Sequence, residues 1–202
     1  MYRKGKEYDR MAQLVIQLYL DYDLKGFPVN EKELCQKLGI ALVPYSEYES
    51  GDKKILLTRS EYGFFVPLSI KNGSPPIIFY NDSISSSGCI RQTIFHEIKH
   101  YIDEDSLEDP EDDDLADYFA KYLACPIPYL VANNIKSQNE IISIFGVSNQ
   151  MAGYIVRNLE NRIQKYGTRI FEYEVPLIKH LCPVVYKTFY EERGDAIMQT
   201  KK

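Results

Sequence analysis

Residues 91–102 read Arg91-Gln92-Thr93-Ile94-Phe95-His96-Glu97-Ile98-Lys99-His100-Tyr101-Ile102. With Ile90, the isoleucines at 94, 98 and 102 recur every fourth residue, which predicts a helix starting near Gly88 with one apolar stripe. On such a helix His96 and His100 stand one turn apart on the same face, so their imidazoles can reach one metal ion. Zinc suits two nitrogens and a carboxylate, with one position left for water. Glu97, next to the first histidine, is placed to hydrogen-bond that water and take its proton. The chain has three histidines, and two of them fall in this pattern. The stripe buries the helix, and buried histidines need partners, which weighs against two unrelated surface residues.

The third ligand has to come from further along. An extended histidine pattern would need Gly and then His shortly after His100, where the chain has Asp103 and Ser106. A second helix is expected over residues 111–125, with Leu115, Phe119 and Leu123 along one side and Pro126 and Pro128 ending it. On it, Asp113, Ala116, Asp117 and Ala120 share a face. The small alanines let two helices approach closely. That arrangement directs Asp113 at the metal and sets Asp117 behind it, holding a histidine by its other ring nitrogen. Asp112 and Asp114 beside it, and Glu104 one turn after His100, are rival ligands. Cys89, two turns before His96, is either a redox-sensitive fourth ligand or a buried helix-interface residue. The third histidine, His180, is expected to be structural.

On the N-terminal side, helices are expected over residues 8–23 and from the capping pattern of Asn30 and Glu33 to Leu38, with Gly39 as the stop. Strand-like runs follow at 40–45, 53–58, 62–68 and 76–80, separated by turn-rich segments. The fold class expected is α+β: a small, partly antiparallel sheet packed by the metal-binding helix, with a helical C-terminal region.

Residues 138–160 read as helix, Phe145-Gly146-Val147-Ser148, then a second helix with Ala152 and Ile155 inward. Asn149, Gln150, Tyr154 and Arg157 would face outward. Arg157, Arg162, Lys165 and Arg169 supply some positive charge, but few basic residues flank the turn. Phosphate contacts normally dominate affinity for DNA, so packing or partner binding is favoured over DNA contact. The chain divides by these signals into residues 1–135, 136–168 and 169–202, with 199–202 expected to fray.

Composition narrows the class. The 202 residues are 45% hydrophobic and 26% charged, a balance that argues against disorder. No run approaches the ~18 apolar residues of a membrane helix, and the N-terminus does not read as a signal peptide. A cytoplasmic location with no membrane association is therefore expected, with Cys35, Cys89, Cys125 and Cys182 reduced and mostly buried. The net charge of −5 is a local effect. Residues 103–117 hold ten Asp or Glu and no Lys or Arg, and the rest of the chain has 24 basic against 19 acidic residues. This run is a solvated loop or a surface that attracts a basic partner.

Taken together, the strand before Asn81-Asp82, the His96-Glu97-Ile98-Lys99-His100 helix, Ala116-Asp117-Tyr118-Phe119-Ala120 and the helix ending at Pro126 resemble the ImmA/IrrE family of zinc metallopeptidases. The resemblance covers about residues 8–165, and its motifs lie within 77–128. It implies a minimal zincin-like metallopeptidase fold with Zn2+ held by His96, His100 and Asp113, and Glu97 as the catalytic base. It also implies an endopeptidase whose protein substrate is a helix-turn-helix transcriptional repressor, cleaved to relieve repression, as in phage and mobile-element regulation. The family usually has Gly where this chain has Lys99, and Glu where it has Asp113. The interval from His100 to Asp113 is short for the family. The alternative is a regulator of the same fold that binds DNA or a partner protein through its helix-turn-helix-like region without proteolysis.

Overall fold

The structure, a computed structural model, describes residues 2–67, 73–103, 110–191 and 197–198. Along the chain the first elements are α1 (Tyr2–Asp21), α2 (Glu31–Leu38), β1 (Ala41–Pro44), α3 (Ser50–Arg59), β2 (Gly63–Val66), β3 (Ile77–Tyr80) and α4 (Ser87–Ile102). Then come α5 (Pro110–Ala124), α6 (Ile127–Ala132), α7 (Gln138–Phe145), α8 (Asn149–Tyr166), β4 (Ile170–Phe171), α9 (Val175–Leu181) and β5 (Ile197–Met198). The architecture is mixed α+β, mostly helical with a small three-stranded sheet. No described helix is long and apolar enough to cross a membrane.

Two compact units divide the chain: Asn30–Ala120 on the one hand, and Met1–Val29 with Lys121–Lys202 on the other. The division follows packing rather than the chain order of the 1–135, 136–168 and 169–202 segments, because α1 packs with α9.

The unit of residues 30–120 is built on the sheet. Its order is β1-β3-β2, with β1 parallel and β2 antiparallel to β3. Phe65 pairs with Ile78 and both are buried, while Phe64 pairs with Phe79 on the opposite face. α4 packs against β2 and β3. Gly63 makes that approach possible. A Cβ there would lie 2.7 Å from the Phe79 carbonyl oxygen and 2.8 Å from Cγ2 of Thr93 on α4. α2 behaves as its sequence indicates: the Asn30 side chain accepts the Lys32 and Glu33 amides, and Gly39 closes the helix at φ 72°.

One element differs in kind. Residues 53–58, expected as a strand, lie within helix α3, and Ser50-Gly51-Asp52 is its first turn rather than a β-turn. A short apolar run does not distinguish strand from helix by periodicity. Here Lys53, Lys54, Leu56, Leu57 and Arg59 are good helix formers, and Asp52 and Arg59 sit at the ends where the helix dipole favours them.

Among its described residues, the unit of residues 1–29 and 121–202 is mostly helical, with the short β4-β5 ladder as its sheet. Met11, Val15, Leu18 and Tyr19 are buried along α1, and the Tyr19 hydroxyl donates to the Leu123 carbonyl at 2.7 Å. Phe27 packs its ring 4.4 Å from that of Phe145 and 4.8 Å from that of Tyr129. A buried pair ties α8 to the segment before α9. The two arms of Arg162 donate to Glu174 at 2.8 and 2.7 Å, and Glu174 also accepts the Phe171 amide. The expectation for 199–202 lies outside the described residues.

Candidate metal centre

Ser86 caps α4, its hydroxyl accepting the Cys89 amide, and Asn81 and Asp82 fix the approach to it. Asn81 donates to the Glu61 carbonyl and its own oxygen accepts the Ser83 amide, while Asp82 accepts the Ser46 amide. The helix then buries Ile94, Phe95 and Ile98 against the sheet side and carries His96 and His100 one turn apart, ring centroids 5.1 Å from each other.

Asp113, on α5, meets both histidines. Its Oδ1 lies 3.4 Å from Nε2 of His96 and 4.0 Å from Nε2 of His100. Ligand atoms of the three residues all fall within 4.8 Å of one another, so the group could hold a metal ion. Bonds of the usual length to zinc put neighbouring tetrahedral ligand atoms about 3.3 Å apart, so the set would draw in by up to about 1.5 Å on an ion. Two imidazoles and one carboxylate leave a fourth position open, and Asp113, 75% exposed at its side chain, keeps that side accessible. Behind the pair, Oδ1 of Asp117 lies 3.2 Å from Nδ1 of His96. That leaves Nε2 as the donor toward the ion, a carboxylate–histidine arrangement that fixes ring orientation.

The charges around the two rings are unequal. Burial disfavours the charged form of His96, but the hydrogen bond to Asp117 and the charges of Glu97, Asp117 and Asp113 outweigh it, and its pKa is raised. Burial, the neighbouring His96 and Lys99 together push His100 down to about 4, against smaller opposing effects of Asp113 and Asp103. Glu97 is buried, and that burial raises its pKa in spite of His96, the Phe65 amide donated to its carboxylate and Arg59. Tyr45, with no exposed surface, feels burial first and Glu97 second, and both raise it; its hydroxyl donates to the Ser60 carbonyl at 3.0 Å.

Of the residues singled out from sequence, His96, Glu97, His100, Asp113 and Asp117 are therefore brought together. Asp114 is exposed on α5 and stands outside the group. Glu104 and the side chain of Asp112 lie outside the described residues. Cys89 is half-buried and is not part of the group found among the described residues. Lys99 does not reach outward from the helix: it has no exposed surface, and its Nζ lies 3.5 Å from Asp103. Local spacing gave no sign of Tyr45, Arg59 or the Phe65 amide near Glu97, because they come from the 3-10 turn after β1, from α3 and from β2.

α7 and α8 form the expected helix pair. Ser137 and Glu140 make a reciprocal cap and Gly146 adopts φ 59° at the turn. Asn149, Gln150 and Arg157 are exposed, but Tyr154 is half-buried with Lys121 over its ring. Arg162 is unavailable to phosphate because Glu174 holds it in the interior. His180 is structural, its Nε2 lying 3.1 Å from the Leu24 carbonyl.

A comparison with protein-family models and with curated proteins finds no match to this chain.

Proposed function

We propose that the chain is a zinc-dependent endopeptidase of minimal zincin-like fold, acting on a partner protein. The observation that carries this is the convergence of His96, His100 and Asp113, with Asp117 behind His96 and buried Glu97 alongside. His96, His100 and Asp113 would hold the ion. Bound zinc supplies Lewis acidity, which polarises a peptide carbonyl and makes water easier to deprotonate. Glu97 takes the proton from the attacking water and returns it to the departing amine. Asp117 keeps His96 in one orientation throughout.

The resemblance to ImmA/IrrE peptidases makes a helix-turn-helix repressor the substrate to try first. Co-expression with such a repressor, followed by mass spectrometry of the fragments, tests it. Glu97→Gln should lower cleavage by about 10²–10⁴-fold, the usual range for a lost general base, and leave metal content unchanged. Derepression that survives Glu97→Gln would instead favour the non-proteolytic regulator. That reading draws on the α7–α8 pair and the exposed Asn149, Gln150 and Arg157. It calls for a salt-dependent shift of duplex DNA that Arg157→Ala weakens.

A further inference from the structure

Alternate residues of β2 face α4, and the two elements keep step. Gly63 and Phe65 are buried, while Phe64 and Val66 are half-buried. On α4, Thr93 and Glu97 stand one turn apart on one face. Two strand residues advance about 6.7 Å and four helix residues about 6 Å, so contacts two apart on β2 match contacts four apart on α4. Thr93 falls at Gly63: its Cγ2 lies 2.8 Å from where a Cβ on residue 63 would stand. Glu97 falls at Phe65, whose amide donates to its carboxylate. Tyr101, one turn further on, brings its ring to 6.0 Å from that of Phe65.

β2 is an edge strand, so its outward amides need acceptors from outside the sheet. The Ser60 hydroxyl accepts the Gly63 amide at 3.1 Å, and Glu97 accepts that of Phe65. Thr93 turns its own hydroxyl back along the helix, donating to the Cys89 carbonyl at 3.1 Å, and its methyl is the part that meets Gly63. That contact has no slack. The Phe79 carbonyl oxygen lies 2.7 Å from the same Cβ position, so the strand cannot retreat from an added methyl and α4 must move instead.

We propose that Thr93 and Gly63 are positioning residues for Glu97: the methyl packed on the glycine sets the height of α4 over β2 at which the Phe65 amide holds the carboxylate. The amide holds one carboxylate oxygen and leaves the second to take the proton. A glutamate side chain otherwise samples several rotamers, and a hydrogen bond to its charged end removes that freedom. The part this plays in hydrolysis rests on the peptidase reading, while the seating of Glu97 is a property of the chain without metal or substrate.

The test moves a methyl across the contact and reads the Phe65 amide by NMR in the metal-free, full-length chain. Glu97→Ala gives the chemical shift of that amide without its acceptor. Gly63→Ala puts one methyl too many in the contact and Thr93→Ser one too few, and both should move the Phe65 signal toward its Glu97→Ala position. Joined in one chain, the two changes restore the volume, and the signal should return at least half-way to the parent's. The double variant stays less stable than the parent, because the Phe79 oxygen is still crowded. Thr93→Val, which keeps the methyl, should leave the signal at the parent position. Thr93→Ser adds no atom, so it carries the test alone should Gly63→Ala not fold. A Phe65 signal indifferent to Glu97→Ala, an unmoved signal in Thr93→Ser, or a double variant no closer to the parent than the singles would overturn the proposal. In zinc-loaded protein the single variants should lower kcat for a cleaved partner and leave KM and metal content alone. No hydrolysis by the parent either would remove the peptidase, and the seating of Glu97 would still stand or fall by the amide signal.

Discussion

His96 and His100 face one another across 5.1 Å, yet the protein treats their charges in opposite ways. His100, held down to about 4, binds no proton between that value and 6.5, where the unfolded chain does. Its contribution to stability is complete above pH 6.5 and is lost as pH falls through about 4. His96, raised above 6.5, contributes below that pH, and the contribution is lost as pH rises through its folded value. In metal-free protein, ring signals followed by NMR should show His96 titrating above 6.5 and His100 only near 4. A His100 midpoint close to 6.5 would contradict the environment described. The carboxylates can be separated as well. Asp113→Ala should cut zinc occupancy sharply, whereas Asp114→Ala should leave it intact; equal occupancy in the two variants would remove Asp113 from the ligand set. These residues were readable in sequence because helical spacing is local: the i, i+4 rule puts two histidines on one face and Asp113 and Asp117 on another. Lys99 was not readable. The same rule puts it on the helix but does not tell whether Asp103, one turn on, will draw it in.

At the scale of elements, the approach of α4 to the sheet depends on Gly63. A Cβ at that position meets a backbone oxygen at 2.7 Å, which cannot swing aside as a side chain can. Gly63→Ala should destabilise the protein by about 1–3 kcal/mol, the range for overpacking a tight contact, and lower the thermal midpoint by several degrees. An unchanged midpoint would mean the strand and helix separate more easily than the geometry indicates. Helices α2, α4, α5, α7 and α8 were all legible from periodicity and caps such as Asn30, Ser137 and Gly146. α3 was not. Its Ile55-Leu56-Leu57 run satisfies a strand as well as a helix, and the burial that normally decides between them is missing, since α3 buries nothing.

For the molecule as a whole, the sequence showed the kinds of element but not their grouping. Nothing local in residues 1–29 shows that α1 packs with α9, because that pairing is set by surfaces far apart in the chain. The unit holding α1 and α9 also encloses the Arg162–Glu174 pair, with Glu174 fully buried. Glu174→Ala leaves the guanidinium in the interior without its carboxylate. It should cost about 3–5 kcal/mol in denaturant unfolding, as broken buried pairs do, and a loss below about 1 kcal/mol would show that water replaces the carboxylate there. The central claim concerns the other unit: that residues from α4 and α5 make one metal site. Metal content of the purified, untagged protein by plasma mass spectrometry, with His96→Ala as control, tests it most directly. About one zinc per chain, lost in the variant, is the expected result for a site of this donor set. Parent and variant holding equally little metal after reconstitution with zinc would contradict it.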